Sequence, residues 1–438
     1  MSALVSANGR VIYVMDEGSR VSIQLPSRWT LVARDAFNGV ILWKKPMKKW
    51  HSHLWPLKSG PTQLARRLVA VKDRVYITLG VDEPVSVLDA TTGELVWETE
   101  IFDYQITPAG HSSGPIIANG KMISGRSCRP RGGPESCVVI AHDAQTGEEL
   151  WRRRTIPAPG EPGDETWGGV AYEDRKHVGT WMPPSYDPEL NLIYIGTSVT
   201  SPAPKFMLGG TDQTHLYHNC TLAIDADTGE IIWYYQHLND HWDLDHPFER
   251  LLVDTAVAPD PDEVEWINPN LEAGEVRKVI TGIPGKTGVV YTLDRETGEF
   301  LWATPTVFQN VITNIDGVTG EVILNEEVIF RENEQIVFVC PHLLGGRDWE
   351  AGAYSPLTNN MYYGLRNNCA DMMATADFET PRDNQLANEI ISGQQAIYSL
   401  AARARLTPGE ENSGTVRAIN AETGRTEWVY EQRAGTVS

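Results

Sequence analysis

The chain is poor in cysteine. It has five, Cys128, Cys137, Cys220, Cys340 and Cys369, in 438 residues. No C-x-x-C occurs, which excludes a zinc ribbon, and no C-x-x-C-H, which excludes a covalently attached c-type haem. The count is too low for a disulfide scaffold, although one or two bridges stay open in an oxidising compartment. No run of about 18 apolar residues exists, so no membrane span is expected. Basic residues are outnumbered and the net charge is −21. That speaks against nucleic acid or an anionic membrane as a partner and favours a soluble protein that docks something basic. The first residues lack a basic stretch followed by an apolar one, so they do not read as a signal peptide. "GRVIYVMDEG" reads instead as a strand, and the chain is expected to begin inside a domain. Helical periodicity is scarce; residues 384–406 are the one stretch that reads as helix.

What the sequence does have is a repeat. "DAFNGVILW" from Asp35, "DATTGELVW" from Asp89, "DAQTGEELW" from Asp143, "DADTGEIIW" from Asp225, "DRETGEFLW" from Asp294 and "NAETGRTEW" from Asn420 share one form. Asp or Asn before Thr/Asn-Gly is hairpin-turn chemistry, with glycine at positive φ. A strand leads in, and a strand ending in Trp43, Trp97, Trp151, Trp233, Trp302 or Trp428 leads out. Such a unit cannot bury both faces alone; stacked radially, the units bury each other and the indole fills the gap between neighbours. The fold class is therefore all-β, a β-propeller of four-stranded antiparallel blades. One further blade without the motif is expected around residues 351–365. A propeller of this kind serves as a binding scaffold as readily as an enzyme.

A second cluster asks for chemistry. "NDHWDLDHP" puts Asp240, Asp243 and Asp245 within six residues with no basic partner among them. Like charges this close repel. Either they form a solvated turn or something positive sits among them. "WHSHLW" places His51 and His53 on one face of a strand-like stretch and reads as surface. "APDPDEVE", residues 258–265, reads as an exposed loop.

The repeat resembles the tryptophan-docking motif of quinoprotein alcohol dehydrogenases, eight-bladed propellers that hold pyrroloquinoline quinone (PQQ) and a metal. "SYDPELNLIYIGT" from Ser185, "CTLAIDADTGEIIWYYQHLNDHWDLD" from Cys220, "GKTGVVYTLDRETG" from Gly285 and "GGRDWEAGAYSPLTNNMYY" from Gly345 each resemble active-site segments of that family. The resemblance implies one propeller domain over residues 1–438 with about six to seven blades present, incomplete at both ends. It implies PQQ with calcium or a lanthanide ion. Asp243 falls on the family's catalytic aspartate and metal ligand, and Asp245 on the extra carboxylate of lanthanide-using members. Asp240 is left to point to solvent. Lys286 falls on the basic residue that contacts the quinone, and Trp181 on the floor beneath it. Asp348, Trp349, Ser112 and Ser127 fall near cofactor contacts, and Cys340 with Cys369 on a family disulfide.

Two metal-ligand positions depart from that pattern. The family's asparagine reads Val199, which has no oxygen to offer from its side chain. Its glutamate falls on Pro130–Gly132, with Glu135 the nearest acid. The expectation is an oxidoreductase that takes hydride from a small alcohol and passes electrons to a separate acceptor such as a soluble cytochrome c, in the periplasm. The alternative is a propeller that has lost its cofactor and acts as a scaffold.

Overall fold

The computed structural model describes residues 2–435 apart from 20, 22–24, 26, 49–67, 81–82, 104–106, 108–112, 129 and 393–394. His51, His53 and Ser112 lie outside the described residues. Those described form seven sheets of four or five strands and one two-stranded hairpin. The chain divides into two compact units. One comprises Met1–Arg154, Gly179–Asn191 and Asp225–Glu230; the other comprises Thr155–Val178, Leu192–Ile224 and Ile231–Ser438.

The first unit shows how the repeat works. Its three sheets each run in chain order, Ser2–Ala7 to Ile41–Pro46, Leu68–Val71 to Leu95–Thr99, and Ile116–Ala118 to Glu149–Arg154. The motif is the turn between third and fourth strands. In the third sheet Asp143 Oδ1 accepts the N–H groups of Gln145 and Thr146, both at 2.8 Å. Gly147 then takes φ 80°, a region that disfavours side chains. Period-2 alternation sends successive residues to opposite faces. In strand Arg74–Thr78, Val75 and Ile77 join a core with Ile12, Leu31 and Trp43, while Tyr76 joins one with Met122 and Ile140. Each tryptophan lies over the glycine of the next motif. A Cβ on Gly93 would stand 2.7 Å from the Trp43 ring, one on Gly147 2.5 Å from Trp97, and one on Gly229 2.6 Å from Trp151. Trp43 Nε1 donates to Ala90 O at 2.9 Å and Trp151 Nε1 to Ala226 O at 3.1 Å. The docking role read from the repeat is thus what these three indoles perform.

The second unit repeats this, with Trp233 over Gly298 at 2.8 Å and Trp302 over Gly424 at 3.2 Å. It also contains a seventh copy of the turn. Asp316 Oδ1 accepts from Val318 and Thr319 N–H, and Gly320 takes φ 75° beneath the rings of Tyr235 and Phe300. Its outgoing strand, Val322–Leu324, carries no tryptophan, so a search for D…G…W passes over it.

Two expectations are corrected here. Residues 351–365 do not found a separate blade. Ala353–Ser355 and Asn360–Arg366 are the first strands of the sheet completed by Gly414–Asn420 and Thr426–Gln432, the one that carries Trp428. The blade without the motif is Ile336–Val339, Asn368–Ala374, Leu400–Leu406 and Gln395–Ile397, interleaved with it in sequence. Nor is 384–406 a helix throughout. Helix Gln385–Ile391, capped by Asn384, is only seven residues long. Gln395–Ile397 and Leu400–Leu406 form a hairpin about Tyr398 and Ser399, at φ 51° and 66°. Two positive φ values make a tight turn that matches strand twist. Tyr-Ser supplies it without the usual Asn-Gly, which is why the sequence concealed it.

Candidate active site

The aspartate cluster lies in segment 237–250, which links strand Ile231–Gln236 to Leu251–Val257. It is buried nearly throughout, so its polar groups need partners within the protein. Asp240 supplies several of them. Its two carboxylate oxygens accept the N–H groups of Trp242 and Leu244, each at 2.7 Å, and Asn219 Nδ2 donates to it at 3.2 Å. Asp240 is fully buried. The expectation that it points to solvent is therefore overturned: this carboxylate folds the turn. Trp242 anchors the turn through Nε1 to Val328 O at 2.7 Å.

Asp243 sits on the crest of this turn at φ 64°, a conformation that Asp tolerates better than most residues. Its carbonyl and carboxylate thereby face one ammonium. Lys286 Nζ donates to Asp243 O at 3.0 Å and to Oδ1 at 3.3 Å, and lies 3.7 Å from Asp245 Oδ2. Lys286 is not a surface lysine; it is 6% exposed. Its backbone is stitched on both sides, N–H to Asp245 O and C=O to Gly346 N–H, both at 2.8 Å. Gly345 must be glycine here, since a Cβ would stand 2.6 Å from the Lys286 Cβ. Asp245 Oδ1 accepts the Val199 N–H at 2.7 Å. Thus Asp243, Asp245 and Lys286 are brought together as the sequence predicts, with the strip carrying Asp348 hydrogen-bonded beside them.

The electrostatics are those of charge out of water. Burial raises Asp243 well above the ordinary carboxylate range, and Asp245 and Asp240 add to this against the opposing pull of Lys286. Burial also lifts Asp348 to about 6. For Lys286 burial works downward, but Asp243, Asp245 and Asp348 outweigh it and hold the ammonium above its usual range. Asp348 is fixed through its own N–H to Glu350 Oε2 at 3.1 Å, and Glu350 pairs with Arg366. Trp349 is half-buried.

Of the other predicted residues, Trp181 and Ser127 belong to the first unit. Trp181 is half-buried, beside the stretch that carries Ser127: Thr180 N–H donates to Arg126 O at 2.8 Å and Arg126 N–H to Thr180 Oγ1 at 3.0 Å. Glu135 is exposed and 3.6 Å from Arg154. Cys128 and Cys137 form a disulfide around that loop, and Cys340 is bonded to Cys369 as the resemblance implied.

The family described as glucose/ethanol/alcohol dehydrogenase, β-propeller domain (PQQ) matches residues 103–321, half of the chain. The chain belongs to this family. The family of the outer membrane protein assembly factor BamB matches residues 27–166. Among curated relatives, a quinohemoprotein alcohol dehydrogenase, ADH-IIG, from Pseudomonas putida is 33% identical over 75% of this chain and 45% of its own length. A second from that organism, ADH IIB, is 28% identical over 98% of this chain and 63% of its own. This PQQ-family chain therefore spans less than two thirds of the relatives' length. Of solved structures, the quinohemoprotein alcohol dehydrogenase of Comamonas testosteroni superposes with TM-score 0.75 over 99% of this chain and 61% of that one, at 22% identity. A europium-containing methanol dehydrogenase also gives 0.75, over 98% and 71%, at 20% identity. These likenesses establish the propeller fold.

The site's donor set fits the quinone better than the metal. Lys286 has three N–H bonds and two hydrogen-bond acceptors, leaving one donor for an incoming anionic oxygen. A metal shell is less well provided. Among the described residues, no three His, Cys, Asp or Glu side chains gather closely enough to share an ion. Val199 offers Asp245 a donor where the family pattern has an acceptor. Sequence reasoning missed Asp240, Asn219 and the Val199 N–H; a backbone donor leaves no trace in residue identity.

Proposed function

We propose that this chain is the catalytic propeller of a PQQ-dependent dehydrogenase that oxidises a small alcohol. The observation that carries the reading is the buried pair of Asp243 and Lys286, with a carboxylate and an ammonium facing each other at 3.3 Å. PQQ, when bound, supplies the two-electron acceptor for the hydride of the carbinol carbon. Lys286 would hold its anionic oxygen with the spare N–H; Trp349 and Asp348 would be its further contacts, with Trp181, Ser127 and Ser112 carried over from the resemblance alone. Asp243 accepts the proton of the alcohol O–H as general base. Burial favours this role by raising its basicity, and Lys286 keeps the carboxylate aimed. Calcium or a lanthanide is the cation the resemblance implies, and Asp243 and Asp245 are the carboxylates it would meet, short of a full shell.

Electrons then pass to a separate acceptor, for which a basic cytochrome c suits a chain of net charge −21. Two disulfides favour an oxidising compartment such as the periplasm. A non-catalytic scaffold is the second reading, favoured by Val199 in the asparagine position. Reconstitution with PQQ separates the two, followed by quinone absorbance and by dye reduction with simple alcohols. Binding with turnover that Asp243→Asn abolishes is the expected result; absence of quinone binding under every condition leaves the scaffold.

A further inference from the structure

The carboxylates that would share a divalent or trivalent ion already have partners. Asp245 uses one oxygen on the Val199 N–H at 2.7 Å, and its other lies 3.7 Å from Lys286 Nζ. Asp243 presents both carbonyl and carboxylate to the same nitrogen. All three side chains are buried. A calcium-sized ion asks for six to eight oxygens at about 2.3–2.6 Å. It would have to approach within a few ångströms of a fixed ammonium, against like-charge repulsion in a low dielectric.

The strap that delivers the Val199 N–H is itself held. His177 Nδ1 lies 3.0 Å from Val199 O, and the Tyr398 hydroxyl 2.8 Å from His177 Nε2. That pattern fixes the imidazole with its proton on Nδ1, donating to Val199, and Nε2 accepting from tyrosine. Ser198 Oγ donates to His177 O at 3.1 Å, and Ala203 N–H to Tyr398 O at 2.9 Å. Three distant segments thus converge to point one backbone donor at Asp245, which a surface turn would not require.

We propose that Lys286 and the Val199 N–H together stand in for the family's metal ion, so that this site takes its quinone without a divalent or trivalent cation. The ammonium balances the carboxylate pair, and the N–H replaces a ligand position with a donor to the carboxylate. His177 and Tyr398 are positioning residues for that donor. The inference rests on the proposed quinone site, but its cation half can be tested without quinone.

The test uses the whole chain, stripped with EDTA, and Tb3+ as the metal probe, read by tryptophan-sensitised luminescence. Wild type is expected to show no luminescent site that Asp245→Asn removes, and Lys286→Met to gain one, because removing the ammonium opens the carboxylates to the ion. A wild-type Tb3+ site lost in Asp245→Asn overturns the proposal, as does a Lys286→Met variant, folded by circular dichroism, that gains none. In a second arm PQQ is titrated in EDTA, in calcium and in lanthanum. Affinities within about threefold of each other support the proposal; a tenfold or larger gain with either ion overturns it. If PQQ binds in none of the three, the proposed function falls and the Tb3+ arm still decides the cation question.

Discussion

Asp240, Asp243 and Asp245 lie within six residues and do three different things. Asp240 closes the turn by accepting two backbone N–H groups, Asp243 faces the ammonium, and Asp245 takes the Val199 N–H. The pattern of carboxylates was legible in the sequence, and so was the pairing of Asp243 with Lys286 that the resemblance implies. The division of labour was not, because it depends on backbone donors that any residue carries. Asp243→Asn is the sharpest probe of the proposed base. Asn also tolerates φ 64°, so the turn persists while proton acceptance is lost. Turnover is expected to fall by roughly 10²–10⁴-fold, with quinone affinity changed much less. Because burial raises Asp243, the acid limb of the pH–kcat/KM profile should lie above the range of an ordinary carboxylate, activity growing as pH rises through it. A limb near pH 4 would remove Asp243 from the role. Lys205 offers a separate test. It is fully buried, with Nζ donating to Thr200 Oγ1 at 3.1 Å. Burial pulls it down to about 7 against the attraction of Asp240. An unfolded lysine titrates near 10.4, so between these values the unfolded chain binds more protons and stability rises with pH. Denaturant unfolding should show wild type gaining roughly 1–3 kcal/mol more than Lys205→Met from pH 7 to 10. Equal slopes would mean that Lys205 remains charged in the folded protein.

At the scale of the blade, the repeat carried nearly all the information. Six turns, the strands on either side and five docking indoles were readable from D/N-x-x-x-G-x-x-x-W. What escaped had a physical disguise. The turn at Asp316 lacks the tryptophan, and the hairpin at Tyr398 uses residues that rarely accept positive φ. The blade without the motif is threaded through its neighbour, so sequence adjacency misassigned its strands. Two glycines separate backbone strain from indole docking. Gly39 and Gly147 have φ 74° and 80°, yet a Cβ at Gly39 meets nothing within 4 Å while one at Gly147 meets the Trp97 ring at 2.5 Å. Gly39→Ala should therefore cost about 1 kcal/mol, the price of the conformation alone. Gly147→Ala adds overpacking of a fixed ring and should cost about 2–4 kcal/mol. Equal losses in urea unfolding would mean that the tryptophans fill space without setting the spacing of the blades.

For the whole molecule the governing quantity is charge. A net −21 over 438 residues leaves a field that attracts basic partners from a distance and weakens as salt shortens its reach, from about 10 Å at 0.1 M to about 3 Å at 1 M. Alcohol and a neutral redox dye do not sense this field; a basic cytochrome c does. The second-order rate of cytochrome reduction by the quinone-loaded protein should therefore fall tenfold or more between about 10 mM and 500 mM salt, within the range that electrostatic steering spans. Turnover with the dye under the same conditions should change less than about twofold, which controls for salt acting on Asp243 and Lys286 themselves. Both sites of effect are then separable in one experiment. A parallel fall in the two rates would locate the salt sensitivity in the buried charge pair. A flat cytochrome rate would mean that the acidic surface serves solubility and that the electron acceptor docks through apolar contacts.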